Sequence, residues 1–172
     1  MNKVRIIAGN LRGRTIFTPG DGTHPMGERE RLALFNMVQG FLPGALVLDA
    51  FSGSGALGIE AISRGAGEVW FVEKNRKACR VIRENLHNLG VSGEVFCENV
   101  VNFTTDKRFE VILADPPYDR FEVTEVAHLT QFLKDGGILV LSHPGEAPEL
   151  PETKLLKTKK YAGARISIYS KK

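Results

Sequence analysis

Asp115-Pro116-Pro117-Tyr118, at the end of the apolar run Phe109–Ala114, places an acid, two prolines and an aromatic ring on one corner. Each X-Pro bond removes a backbone N–H and biases the preceding residue away from helix. The corner therefore leaves carbonyl oxygens, a carboxylate and an aromatic face directed at a common space. That set suits a flat group carrying N–H donors, such as the amino group of a nucleobase. A proline-rich turn after a strand has the same composition, so the assignment depends on what the rest of the chain supplies.

A second chemical feature lies upstream, where Leu46-Val-Leu-Asp49-Ala-Phe51-Ser-Gly53-Ser-Gly55-Ala-Leu-Gly58 reads as a strand, a glycine-rich turn and a helix start. Glycines let a backbone approach a ligand closely, and the free N–H groups of a helix start favour an anionic or polar group. Gly53 and Gly58 have the spacing of a triphosphate-binding loop, but Ile59 and Glu60 follow where that motif needs Lys and Ser or Thr. Gly53, Gly55 and Gly58 also satisfy G-x-G-x-x-G, and Glu73 lies 20 residues beyond Gly53, as in a dinucleotide fingerprint. Against a pyrophosphate, Asp49 ends the strand with a negative charge. A carboxylate there suits a cationic ligand, above all the amino group and sulfonium of S-adenosylmethionine, with Glu73 accepting from ribose hydroxyls. A plain turn or cap role for Asp49 stays open.

These groups need elements to position them. Val4-Arg-Ile-Ile-Ala8 and Arg14-Thr-Ile-Phe-Thr18 read as short strands around a glycine-rich turn, followed by a loop at Pro19-Gly20-Asp21-Gly22. A helix follows Pro25, with Leu32, Phe35 and Val38 on one face. Strands at 45–49, 68–73, 93–97, 109–114 and 137–142 alternate with helices near 56–64, after the capping Asn75 up to Gly90, and 123–133. That alternation implies a parallel, doubly wound sheet. Two further strands near 153–159 and 164–169, separated by Tyr161-Ala-Gly163 with no helix between them, imply an antiparallel hairpin. The expected architecture is an α/β sheet of about seven strands, with residues 1–22 as a basic β-hairpin extension and 23–172 as the main domain.

The length of 172 residues suits one core. Residues 1–20 carry Lys3, Arg5, Arg12 and Arg14 and no acid, and 153–172 carry seven basic residues and no acid, so within the total of +3 the middle is net −8. Basic ends around an acidic middle suggest a polyanion held at the periphery, although lysines also guard edge strands. No apolar run reaches the roughly 18 residues of a membrane span and no secretory signal opens the chain, which reads as cytoplasmic. Cys79 and Cys97 are expected as reduced thiols. His24, His87, His128 and His143 are scattered, and no metal site is expected.

Asp49-Ala-Phe-Ser-Gly53-Ser-Gly55 with Glu73 and Asp115-Pro-Pro-Tyr118 resembles class I S-adenosylmethionine-dependent methyltransferases that modify exocyclic amino groups of bases. Arg5-Ile-Ile-Ala-Gly9, Leu11-Arg-Gly-Arg14, Pro25, Arg29, Arg31 and Ala33-Leu-Phe-Asn36 are similar to the RsmD family, which methylates the guanine amino group N2 of small-subunit (16S) ribosomal RNA. The chain departs from that pattern at His24-Pro25-Met26, where the family has Arg-Pro-Thr, and at Leu32, where it has Glu. The resemblance implies a Rossmann-like class I methyltransferase fold, with S-adenosylmethionine held by Asp49, Phe51, Gly53, Gly55, Glu73 and, at the adenine, Asn99.

The amino nitrogen of guanine is a poor nucleophile because its lone pair is delocalised. Asp115 and the Pro116 carbonyl holding its N–H groups would favour a pyramidal nitrogen aimed at the methyl group, with Tyr118 stacking on the base. Pro117, Lys3, Arg5, Arg12, Arg14 and Arg29 are the candidate RNA contacts, and the protein is expected to act as a monomer on ribosomal RNA or a small-subunit ribonucleoprotein. The alternatives are an amino-methyltransferase for adenine or cytosine in DNA or another RNA, a dinucleotide-dependent oxidoreductase, and a noncatalytic RNA-binding module.

Overall fold

The computed structural model describes residues 2–20, 25–161 and 163–172. Two antiparallel strands, β1 (Lys3–Arg5) and β2 (Thr15–Phe17), precede helix α1 (Glu28–Val38). There follow β3 (Leu46–Ala50), α2 (Ala56–Ser63), β4 (Glu68–Glu73), α3 (Arg76–Leu89), β5 (Glu94–Cys97), β6 (Phe109–Ala114), α4 (Val123–Leu129), β7 (Leu133–His143), β8 (Thr153–Tyr161) and β9 (Ala164–Lys171). β3 to β9 form one sheet in the order β5-β4-β3-β6-β7-β9-β8. The first five in that order run parallel, β9 is antiparallel to β7, and β8 is antiparallel to β9. This is the expected architecture, C-terminal hairpin included. The expected boundary between residues 22 and 23, the end of the 19–22 loop and position 162 fall outside the described residues.

Central strands read as continuous apolar runs because both faces are covered. Alternate side chains go to opposite sides: Val47, Val111, Leu113 and Val140 face α1, α2 and α3, while Leu48, Ile112, Leu139 and Leu141 face the layer containing Val126, Leu129 and Phe132. α3 starts where the Asn75 side chain accepts the Ala78 N–H at 3.0 Å and stops at Gly90, whose φ of 69° suits glycine. Its buried stripe, Ala78, Val81, Ile82, Asn85, Leu86 and Leu89, includes one amide.

That amide tells how the N-terminal segment is attached. Asn85 accepts the Phe17 N–H at 2.9 Å and donates to the Phe17 carbonyl at 2.9 Å and the Ser54 carbonyl at 3.2 Å, so it joins β2 to the glycine turn. Glu60, fully buried in α2, accepts the N–H groups of Ile7 and Ala8 at 2.9 and 3.1 Å. The Gly13 N–H closes the turn on the Ile6 carbonyl at 2.9 Å and Glu60 takes the Ala8 N–H that would continue the pairing, so β1 ends at Arg5 rather than near residue 8 as expected. Ile6 and Ile16 bury into the same core as α1 and α2.

The face of α1 differs from the sequence expectation. Arg31, Leu34, Phe35 and Val38 are buried, and Leu32 is exposed. Arg31 takes a core position because Glu60 is there: its Nη1 lies 3.6 Å from Glu60 Oε1, and Arg64 Nε lies 2.9 Å from Glu60 Oε2. Burial chiefly lowers the Arg31 pKa, while the Glu60 charge opposes that.

The expectation of reduced thiols is also corrected. Cys79 and Cys97 form a disulfide, with Cα atoms 6.0 Å apart. They stand 18 positions apart in sequence, but the β4-α3-β5 crossover returns β5 beside the start of α3, a proximity that spacing cannot reveal. No helix among the described residues is long and apolar enough to cross a membrane.

Removing one member of a buried ionic cluster leaves the others uncompensated. Glu60→Ala should therefore lower stability by about 3–5 kcal/mol in urea denaturation; a variant as stable as wild type would show that the cluster does not anchor the N-terminal segment.

Candidate active site

Parallel neighbours end on the same side of the sheet, so Asp49 (β3), Glu73 (β4), Asp115 (after β6) and Ser142 (β7) meet at one rim. They line a single cavity of about 1150 Å³. This is where ligands bind in open α/β sheets.

On one side of the cavity the chain leaves β3 through a tight turn. Phe51 (φ 57°) and Gly53 (φ 56°) take left-handed backbone, and Gly55 (φ 85°) caps α2. A non-glycine residue with such a φ is uncommon, so Phe51 is held there by its surroundings. Ser52 donates its hydroxyl to the Asp49 carbonyl at 2.5 Å. The Gly58 N–H donates to Asp49 Oδ2 at 2.9 Å, and a side chain at Gly58 would collide with the Phe71 ring. The third glycine thus serves Asp49 rather than a phosphate.

Asp49 is almost wholly buried, and among the described residues no cation pairs with it. Its pKa is raised well above the usual range by burial first, against the Gly58 hydrogen bond, and further by the charges of Asp115 and Glu73. Glu73 accepts the Gly53 N–H through Oε1 and the Asn75 N–H through Oε2, each at 2.8 Å, clamping the turn to the start of α3. Each of its oxygens keeps a second accepting site. Asn99 accepts the Val101 N–H through its side-chain oxygen at 3.1 Å and also lines the cavity.

This donor set fits S-adenosylmethionine. A desolvated carboxylate without a protein cation suits the ammonium and sulfonium, Glu73 suits a diol, and the Asn99 amide suits an adenine edge.

The opposite side of the cavity is the 115–118 corner. Pro116 is buried, Pro117 exposed, and Asp115 and Tyr118 half-buried with the cavity before them. Burial pushes the Asp115 carboxyl up from 3.8 to about 6, against a hydrogen bond from Ser142. The Tyr118 hydroxyl meets the Ser142 hydroxyl, and burial, opposed by that bond, raises the phenol pKa. Ser142 thus bonds Tyr118 and stands beside Asp115 at the corner. Ser142 was missed in the sequence, where it is only a polar residue ending an apolar strand. Its signal was register: Ala114 pairs with Leu141, which sets residue 142 beside 115.

Asp49, Phe51, Gly53, Glu73, Asn99, Asp115, Pro116, Pro117 and Tyr118 all line this cavity. Gly55 stands behind it as the cap of α2. Lys3, Arg5, Arg12, Arg14 and Arg29 do not line it; they lie exposed on the N-terminal segment and the start of α1. Lys3 Nζ sits 5.6 Å from the Phe17 ring, Arg5 pairs with Glu28 at 3.0 Å, and Arg14 donates to the Asn88 carbonyl at 3.3 Å. Among the described residues no group of three or more His, Cys, Asp or Glu is arranged to hold a metal.

The profile of the family described as Conserved hypothetical protein 95 matches residues 4–170. Ribosomal RNA small subunit methyltransferase D of Escherichia coli K12 is 32% identical over 170 residues, covering 94% of this chain and 86% of that protein. The chain belongs to the RsmD family. A solved structure of Escherichia coli yhhF superposes with a TM-score of 0.91 at 29% identity, covering 99% of both chains. The Thermus thermophilus 16S rRNA N2 methyltransferase RsmC, solved with AdoMet and guanosine, shares the fold with a TM-score of 0.73 at 20% identity, over 99% of this chain and 50% of that one. The RsmD resemblance and the class I methyltransferase fold expected from the motifs are both borne out.

A raised carboxyl pKa means that the folded protein binds this proton more tightly than the unfolded chain does. The contribution of Asp115 to stability is then fully present below its unfolded value and is lost as pH rises through about 6. Relative to Asp115→Asn, wild type should lose about 1–3 kcal/mol between pH 4 and pH 7 in urea denaturation. Parallel pH profiles for the two proteins would refute the desolvated state of Asp115.

Proposed function

We propose that this chain transfers a methyl group from S-adenosylmethionine to the exocyclic amino group N2 of one guanine in small-subunit ribosomal RNA. The observation that carries the reading is the meeting, across one cavity, of the 115–118 corner with the glycine turn bearing Asp49 and Glu73. The family membership and the name of the Escherichia coli relative support the RNA substrate.

When bound, S-adenosylmethionine supplies an electrophilic methyl group. Asp49 and Glu73 would hold its charged and sugar portions, and Asn99 its adenine. Asp115 and the Pro116 carbonyl accept the two amino N–H groups, which directs the nitrogen lone pair out of the base plane. Fixing that geometry in advance is where the rate comes from. Asp115, as a carboxylate, is also the group placed to take the proton. Tyr118 stacks on the base, its hydroxyl anchored on Ser142. A cavity at a strand rim admits a base only when it is unpaired or extruded, so the target is a nucleotide outside a continuous helix.

Lys3, Arg5, Arg12, Arg14 and Arg29 then contact phosphates around that nucleotide. All groups of the site come from one chain, in keeping with a monomer acting in the cytoplasm on RNA or a ribonucleoprotein. Guanine, rather than adenine or cytosine, is supported by the family membership.

Asp115→Ala should reduce methyl transfer to small-subunit RNA by at least about 1,000-fold, while calorimetry shows S-adenosylhomocysteine bound within about threefold of wild type. Normal turnover in the variant would remove Asp115 from the mechanism. Wild type that binds a nicotinamide dinucleotide but not S-adenosylhomocysteine would overturn the functional reading.

A further inference from the structure

Three bases carry an amino group that the Asp115–Tyr118 corner could accept, and they differ at the ring nitrogen beside it. Guanine has an N1–H donor next to its amino group. Adenine and cytosine present an unprotonated, accepting nitrogen at the corresponding place. An acceptor on the cavity wall next to the corner would therefore admit guanine and repel the other two.

Glu30 supplies one. It stands in the first turn of α1, is half-buried, and lines the same cavity as Asp115, Pro116, Pro117 and Tyr118. After burial, the charges of Asp115 and Glu30 are what hold the Tyr118 phenol up, so this carboxylate acts on the ring expected to stack on the base. Among the described residues it makes no hydrogen bond or ion pair, unlike its neighbour Glu28, which pairs with Arg5. Gly27 gives it room: a side chain there would fall on Glu30 Oε2. Asp119 and Glu125 also reach the cavity wall, from the turn and helix after the corner; Arg120 stands 4.0 Å from Asp119 and offsets its charge.

We propose that Glu30 selects the base, its carboxylate accepting the guanine N1–H while Asp115 and Pro116 hold the amino group. This assignment rests on the guanine reading above. For adenine or cytosine the carboxylate would face a lone pair and lose its water without gaining a donor, which is the strong form of discrimination available to a polar site. Glu30 touches the substrate but takes no part in methyl transfer.

The test uses small-subunit RNA carrying either guanine or 2-aminopurine at the position that wild type methylates. 2-Aminopurine keeps the amino group but has no N1–H. Wild type should favour guanine by about 100-fold in kcat/KM. In Glu30→Gln, whose amide can donate to the bare nitrogen, the preference should fall to about tenfold or less, and in Glu30→Ala guanine turnover should drop while 2-aminopurine turnover holds. Partial unfolding cancels because each preference is a ratio on one preparation, and differences in amino reactivity cancel when variant and wild-type ratios are compared. Variants that keep the wild-type ratio overturn the role of Glu30 alone. A wild type that methylates no guanine in this RNA overturns the functional reading, and this assignment with it.

Discussion

The site depends on one desolvated carboxylate. Asp49 is buried at the end of β3 and accepts the Gly58 N–H; burial chiefly raises its pKa, and the charges of Asp115 and Glu73 raise it further. Like charges at three strand ends oppose folding, and among the described residues no protein cation relieves Asp49. Such a cost is typical of functional sites, where perturbed groups await a ligand. A cationic methyl donor is the ligand whose charge answers it, and the same charge excludes a pyrophosphate from the turn.

Strand order converts that local chemistry into a reaction site. Because β4, β3, β6 and β7 are parallel neighbours, the glycine turn and the 115–118 corner open on the same rim. A second buried carboxylate, Glu60, does the complementary work in α2. It ties down the backbone at Ile7 and Ala8 and draws Arg31 and Arg64 into the core. Asn85 links the same N-terminal segment to the glycine turn through Phe17 and Ser54. The basic segment expected to meet RNA is therefore fixed to the element expected to hold the cofactor, rather than tethered loosely beside it.

What was legible in the sequence was local. The glycine turn, Asp49, Glu73 and the 115–118 corner are encoded within short stretches whose backbone requirements show directly in glycines and prolines, and alternation of strands and helices was enough for the fold. What was not legible depended on distant partners. Arg31 carried no sign of burial in the sequence and takes a core position because Glu60 lies against it, while Leu32, expected on the buried face, is exposed. Ser142 acquired meaning only from the β6–β7 register, and Cys79 found Cys97 only through a crossover. Glu30 carries no motif, and its place on the cavity wall comes from how α1 packs.

The central claim, that both halves of the cavity act on one base amino group, is tested most directly by incubating small-subunit ribosomal RNA with the protein and isotopically labelled S-adenosylmethionine, then digesting the RNA and locating the label by mass spectrometry. The account predicts label on the N2 amino group of a single guanine. Label on a ring carbon, a ribose oxygen or the amino group of another base, or an RNA that acquires none, would contradict it.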